Sequence, residues 1–528
     1  MDEGAFDIIV LGTGLTESIA SAALSKAGFK VAHIDQNPYY GAGEASLSFD
    51  EFIEWQDKPK PGFSSFSHSE DTIAQPRAYS LSLSPSLIPS TGPLIDALVA
   101  SGVSRYGGFR LIERVCVYDS SGTVKPVPGS KEDVFKSKEI SLLEKRRLMR
   151  FLMFAAGDFE DKKELEGHAD TPFPDYLKTV FSLNEEMINA IAYALAYCLS
   201  PADPTLPALH RMRRYLRSAG RYGASPFLVG HYGSSGEIAQ GFCRTSAVSG
   251  GVYILGRDIE SISSSSTSPP KHVLRLADFP DPLTCSLLIS SPSYPPSHAT
   301  PVIPPQSPSA PFSASSPTYP RRALYEDAPP SEDDPTPSGD APTPTPSTSP
   351  VFDTAVIVFP PASLAGGSST AAVTVLLTGE GTMSCPRGKW ILYLALPLLT
   401  PAHDGADPQA LLKPYLDATL ALALPDGDAN SDTPTAPITP LFSAYYIQHG
   451  TAGPQEAELA GPAPAHLAPA ALPPILPLPD AGDAAAVHAE QVFWEAVKIL
   501  RPTATDGDED GSIVSLWPPL ENREEEED

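Results

Sequence analysis

The stretch "IIVLGTGLTESIASAALSKAGFKVAHID" runs from Ile8 to Asp35. Apolar runs of strand length occupy 6–11 and 30–35. Between them Leu15, Ile19, Ala22, Ala23 and Ala27 recur at helical spacing, and Gly28 closes the run as a glycine past a helix C-terminus does. The pattern predicts strand, tight turn, helix, strand: a βαβ unit opening an α/β fold. Gly12 and Gly14 stand where a dinucleotide-binding turn needs them. The first permits the bend, and the second lets a pyrophosphate approach the helix N-terminus. Asp35 ends the second strand 21 residues past Gly14, the place of an acid that holds a ribose hydroxyl.

The third glycine of G-x-G-x-x-G is missing, and Glu17 stands there. A carboxylate 4–6 Å from a diphosphate, at an effective dielectric near 20, costs on the order of 3–4 kcal/mol per like-charge pair. That is several decades of affinity. In the first turn of a helix the same carboxylate is favourable with the macrodipole and can occupy the anion site internally. The residues therefore favour a βαβ scaffold that carries no nucleotide, over a flavin- or nicotinamide-dependent enzyme.

The chain has 528 residues, enough for a sizeable core and two domains. Its 59 prolines cluster late, so much of that length reads as linker. Five scattered cysteines (Cys116, Cys198, Cys243, Cys285, Cys385) form no C-x-x-C pair and suggest neither disulfides nor zinc. No apolar stretch, "WILYLALPLL" at 390–399 included, reaches the roughly 18 residues that a membrane span needs, and "MDEGAFDIIV" is not expected to be a leader. A soluble, cytosolic protein is expected. A net charge of −28 argues against nucleic acid. Acid concentrates at 506–510 and 524–528, and base at 145–150 ("KRRLMR") and 210–221, which is either a docking face or simply the solvated side of surface helices. No P-loop, H-E-x-x-H or Ser-His-Asp signature is present, and the histidines show no metal-ligand spacing.

Composition and periodicity divide the chain. Residues 1–130 form the first part of the α/β domain. Residues 131–220 are helical, with "SLLEKRRLMRFLMF" opening on a capping box (Ser141, Glu144) and "NEEMINAIAYALAYCL" placing Met187, Ile191, Leu195 and Cys198 on one stripe. Residues 221–289 return to the α/β domain. Residues 290–350, rich in Pro and Ser and poor in large apolar residues, read as a long disordered insertion. The sheet resumes over 351–451; 452–486 is a Pro/Ala-rich loop, 487–502 a final helix and 503–528 an acidic tail.

"DIIVLGTGLTESI…HIDQNPYYG" resembles the opening signature of the Rab GDP-dissociation-inhibitor and Rab-escort-protein superfamily, and "RYGASPFLVGHYGSSGEIAQGFCRTSAVSGGVYIL" at 221–255 resembles its second. In this chain Ala42 separates two glycines that adjoin in the family, and "HYGSSGE" is one residue longer than the family's Y-G-x-G-E. The resemblance implies an FAD/NAD(P)-binding-like fold with no cofactor bound, and an inserted all-helical domain. It implies a non-catalytic protein whose α/β domain grips a GDP-bound Rab GTPase and whose helical domain shelters a geranylgeranyl chain. Tyr40, Glu237 and Arg244 match the family's Rab-binding positions, and Val252 and Ile254 on the next strand extend them. From the residues alone, Tyr40 could equally be a turn aromatic packed on its own sheet, and Glu237–Arg244 an intrahelical pair.

The insertion at 290–350, "ASLSFDEFIEW" at 45–55 and the cysteine of "GFCRTSAVSGGVYIL" look like the escort branch. That branch is the accessory component A of Rab geranylgeranyltransferase. It presents Rab to the catalytic αβ heterodimer and delivers the prenylated product through transient membrane contact. The implied prenyl cleft falls on Leu148, Phe151, Leu152, Met187, Ile191 and Leu195, residues that could also be plain core. Met149 and Met153 would suit an adaptable site beside it. Transferase docking falls on Arg213, Arg214, Tyr215 and Arg217, where an exposed structural helix is equally consistent.

Overall fold

The structure is a computed structural model. It describes residues 4–58, 62–69, 72–127, 141–265, 271–291, 352–400, 406–423, 438–449 and 476–501, with short pieces at 294, 302–303, 319–320, 323–326, 465–469, 513 and 515–518. The opening unit forms as its pattern predicts: β1 (Ala5–Leu11), α1 (Leu15–Lys26) and β2 (Val31–Asp35). β1 and β2 pair in parallel, and β3 (Val252–Leu255) and β4 (Leu283–Ser290) flank them, also in parallel, in the order β3-β2-β1-β4. An antiparallel hairpin, Ile259–Ser265 with Lys271–Leu276, continues the sheet beyond β4. Both faces are covered: Ile8 and Val10 pack under helices, while Ile9, Leu11 and Ile34 form a core on the opposite side. That double burial explains why β1 reads as a continuous apolar run instead of an alternating one.

The helical stretch contains α2 (Leu142–Ala156), α3 (Phe173–Phe181), α4 (Glu185–Asn189) and α5 (Thr205–Ser218). The capping box of α2 is present, with the Ser141 and Glu144 side chains each bonded to the other's backbone. The stripe expected as one helix over 187–199 is two elements, because α4 widens into a π-turn over Ala190–Leu195. α5 starts at Thr205, with Pro207 inside its first turn, where no helical N–H partner is lost. These helices do not form a core of their own. Phe151, Tyr176 and Ile191 share one cluster with Phe52, Val356 and Tyr446, so the helices sit on the second sheet. That sheet has Thr354–Phe359, Val373–Thr378 and Lys389–Ala395 as its antiparallel centre.

α6 (Ser235–Val248) and α7 (Ala481–Leu500) both pack on α1. α7 begins at Ala481, ahead of the expected 487. The expected disordered insertion at 290–350 falls mostly outside the described residues; within it, Ala323–Glu326 pairs with Lys389–Ala395 and Phe442–Gln448. The stretch expected as a loop over 452–486 is not all loop: Ala465–Pro469 is a strand paired in parallel with β4, and 481–486 opens α7. Residues 452–464, 470–475 and most of the 503–528 tail lie outside the described residues. Among the described residues no helix is long and apolar enough to cross a membrane, and no group of His, Cys, Asp and Glu is arranged to hold a metal.

Candidate functional site: a closed glycine turn beside a two-motif platform

The glycine turn is closed by the chain's own side chains. A Cβ on Gly14 would stand 2.6 Å from Glu17 Oε2 and 3.3 Å from Glu44 Oε2, so both carboxylates crowd the surface that a pyrophosphate would use. The Glu44 carboxylate accepts a hydrogen bond from the Leu15 amide, the first N–H of α1. It thereby fills the anion site of the helix N-terminus from within. Burial and the neighbouring Glu44 raise Glu17 to about 8, and burial raises Glu44 to about 7. Two carboxyl groups this close do not both ionise readily at neutral pH.

The ribose acid is engaged as well. Asp35 Oδ2 accepts from the Thr13 amide and hydroxyl, both at 2.7 Å, and Oδ1 accepts from Asn37 and, at 2.8 Å, from the Tyr294 hydroxyl. The Tyr294 ring meanwhile lies 3.2 Å from the place a Gly12 Cβ would take. The turn holding Gly12, Gly14, Glu17 and Asp35 thus has no free anion site and no free ribose acceptor. These residues do not fit a dinucleotide. Glu17 lies against the turn, but Glu44 and not Glu17 takes the Leu15 amide, and burial favours the neutral form of Glu17 over the charged one expected; Glu44 and Tyr294 were not foreseen. The acid four residues after Tyr40 was visible in the sequence, but nothing there shows it turning back onto α1.

Beneath the turn, burial lowers His33 to about 4 and keeps it neutral. Its Nε2 donates to the Gly12 carbonyl, so Nδ1 is left to accept from the Tyr253 hydroxyl at 3.2 Å. Tyr253 in turn meets the Tyr40 ring edge-on, with centroids 6.0 Å apart. A continuous chain of contacts thus runs from the glycine turn to Tyr40.

The two signature motifs meet backbone to backbone. Gly41, at φ +95°, has room for no Cβ: one would lie 2.9 Å from Ala45 Cα and 3.2 Å from Gly236 Cα. Gly236, in the first turn of α6, would drive a Cβ to 2.2 Å from the Ser46 amide nitrogen. The Tyr40 loop therefore rests directly on the N-terminus of α6. Tyr232, Gly233 and Ser234, all at positive φ, form the turn before the helix. Glu237 and Arg244 keep their two-turn spacing inside α6.

Glu237 and Arg244 make no ion pair with each other. Arg244 lies over the Tyr106 ring at 5.0 Å, and the Tyr106 hydroxyl bonds Thr245. Glu237 lines a shallow, open cleft with Tyr106, Gly108, His231 and Gly241. Burial raises its pKa, and no cation offsets that burial among the described residues. Tyr40 is half-buried against Tyr253 and Cys243, so it borders α6 as well as its own sheet. Val252 and Ile254 do not join them: strand alternation turns Tyr253 toward Tyr40, while Ile254 packs in the core beneath the sheet. Tyr106 and Tyr253 are the platform residues that spacing alone missed.

The other candidates fall into two groups. Leu148, Phe151, Leu152, Met187 and Ile191 are buried together, with Leu195 packed against them at the end of the π-turn. Met149 packs beside this cluster, whereas Met153 points to solvent. On α5 the arginines are tied to the protein itself. Arg214 pairs with Asp480 and, at 3.0 Å, with Asp483 at the start of α7, and Tyr215 is buried beside it, donating to Asp480. Arg213 pairs with Glu160 at 2.7 Å and stacks on Phe159, and Arg217 reaches Asp158.

Comparison with known proteins accords with this geometry. A family model described as GDP dissociation inhibitor matches residues 1–302. The chain is 33% identical over 317 residues to Rab proteins geranylgeranyltransferase component A of Drosophila melanogaster, covering 55% of this chain and 60% of that protein. It is 35% identical over 295 residues to Rab GDP dissociation inhibitor beta of Rattus norvegicus, covering 55% and 63%. The chain thus spans less than two thirds of these relatives. In architecture it resembles a Rab GDI from Plasmodium falciparum, with a TM-score of 0.60 at 19% identity over 93% of this chain and 98% of that one. An oxidoreductase from Methanosarcina mazei gives 0.53 at 14% identity, covering 92% and 100%. With more than half its length matched by the family model, and with both signatures meeting at one platform, the chain belongs to the GDP dissociation inhibitor family.

Proposed function

We propose that the chain is a Rab escort protein. In this reading it binds unprenylated, GDP-bound Rab, presents it to a separate αβ geranylgeranyltransferase, and carries the lipidated product to membranes. It acts as an accessory and not as the catalyst. The observation that best supports the reading is the contact of Gly41 with Gly236, which packs the Tyr40 loop on the first turn of the helix that carries Glu237 and Arg244, beside a blocked coenzyme turn. Tyr40 offers a rigid amphipathic contact. Glu237 offers an uncompensated acceptor in a cleft, and Arg244 a cation already held in place by Tyr106.

The candidate lipid cluster lies on the inner face of α2. Its opening has a natural point in the π-turn Ala190–Leu195, where the helical hydrogen bonding is already irregular. Burying prenyl carbons at about 0.8 kcal/mol per CH₂ supplies the drive against the cost of parting the core. The direct test is reconstitution. Stimulation of Rab geranylgeranylation by the αβ transferase supports the escort role. No stimulation, together with efficient extraction of prenylated Rab from membranes, would instead make the protein a recycling dissociation inhibitor.

A further inference from the structure

The basic run at 145–150 lies on α2, whose two sides differ sharply. Leu148, Phe151, Leu152 and Ala155 face inward. The outward arc, about 100° wide at 3.6 residues per turn, carries Leu142, Met153, Arg146, Arg150 and Leu143, with Met149 at its edge turned toward the cluster. Leu142 is 87% exposed, Met153 64% and Leu143 57%, an unusual display of large apolar side chains on a solvated helix. No carboxylate lies on this arc, although the chain carries a net charge of −28. Arg150 is partly offset by Glu164 at 3.5 Å and lies over Phe181. Arg146 is exposed and forms no ion pair among the described residues.

We infer that the outward face of α2, through Leu142, Leu143, Met153, Arg146 and Arg150, is a docking surface for an anionic lipid bilayer. A convex face of flexible apolar side chains interleaved with arginines suits the boundary between head groups and acyl chains. None of these residues is an aromatic anchor of the kind a protein hot spot uses. The remaining negative charge of the chain opposes binding only within about 8 Å at physiological salt, so the local sign of this face decides. The same helix roofs the candidate lipid cluster, so seating it on a bilayer brings that cluster to within about one helix diameter, roughly 10 Å, of the membrane surface. The inference deepens the delivery step of the proposed function and draws its biological sense from it; its chemistry stands alone.

The test is co-sedimentation of the full chain with vesicles of phosphatidylcholine containing phosphatidylserine, against pure phosphatidylcholine, at low and high salt. Binding is expected only to the anionic vesicles. Arg146→Glu is expected to weaken it roughly thirtyfold, since each basic residue near a charged surface is worth about 1 kcal/mol and reversal counts twice. Leu142→Ser with Met153→Ser is expected to weaken it severalfold. All these positions are exposed, so melting temperatures should match the parent. Equal binding to neutral vesicles, or unchanged binding by both variants, would overturn the inference. So would variants that lose binding to the αβ transferase while the parent ignores vesicles; the face would then belong to a protein partner. Retained GDP-Rab binding by a variant that has lost vesicle binding separates this surface from the platform. Absence of GDP-Rab binding by the parent would sink the proposed function and leave the bilayer face standing.

Discussion

Glu17 of α1 and Glu44 of the Tyr40 loop bring their carboxylates to the same face of Gly14, from elements 27 positions apart in the chain. A binding turn has become an internal clasp: the place of a ligand's phosphates is filled by two of the protein's own carboxyl groups, one of them bonded to the Leu15 amide. Because Glu44 belongs to the loop that carries Tyr40, the clasp also fixes where the platform begins.

The clasp makes stability fall with rising pH. Both acids have folded values above their ordinary 4.5, about 8 for Glu17 and about 7 for Glu44. The native state therefore binds protons that the unfolded chain releases, and stability declines from about pH 4.5 until both groups have ionised, near pH 8. Glu17→Gln should remove much of that decline. Thermal melts of the variant and the parent should differ little at pH 5 and most at pH 8.5, with the variant the more stable. A difference that does not change with pH would contradict the clasp.

Gly236→Ala should damage both folding and partner binding. The new methyl would meet the Ser46 amide nitrogen at 2.2 Å, the Ser46 hydroxyl at 2.6 Å and the Ala45 carbonyl carbon at 2.8 Å, and the backbone there cannot yield without moving the Tyr40 loop. Overpacking of this kind costs about 1–3 kcal/mol. The melting temperature should drop by several degrees, and GDP-Rab affinity should fall further than in an Ala variant of an exposed α6 residue such as Val248.

Tyr106 should matter through its ring more than its hydroxyl. Its face holds the Arg244 guanidinium, a contact worth about 0.5–1 kcal/mol at an exposed site. Tyr106→Phe is expected to bind GDP-Rab close to normally, while Tyr106→Ala should weaken it in the same direction as Arg244→Ala. Equal loss in the Phe and Ala variants would assign the effect to the Thr245 hydrogen bond instead.

Arg214→Ala should be a folding defect. Removing it leaves Asp483, which is almost fully buried, with only the Leu94 amide as a hydrogen-bonding partner among the described residues. Breaking a buried pair from one side costs about 3–5 kcal/mol. Denaturant unfolding should show the loss. Arg217→Ala, on an exposed pair, should change stability by less than about 1 kcal/mol. A transferase defect seen only in the Arg217 variant would mark that side of α5 as a contact.

Much was legible in the sequence because it depended on local rules. The βαβ opening followed from period and turn glycines, and the α2 cap from Ser141 and Glu144. The conflict between Glu17 and a diphosphate followed from charge alone. The two signatures announced the family before any geometry was known. Where local rules failed, long-range contacts decided. The stripe at 187–199 breaks into α4 and a π-turn, an irregularity that apolar spacing does not encode. Val252 and Ile254 share a periodicity with nothing on the platform side, because the pleat presents Tyr253 there instead.

By itself, then, the sequence determined the scaffold and the presence of an acid at its glycine turn, since backbone conformation and residue spacing act over neighbouring positions. Only the tertiary structure decided which side chains fill that turn, which arginines are spent inside the protein, and that Gly41 and Gly236 touch. Glu44, Tyr294, Asp480 and Asp483 reach their partners across tens to hundreds of intervening residues, and such closures are fixed by packing of the whole core and not by any local pattern.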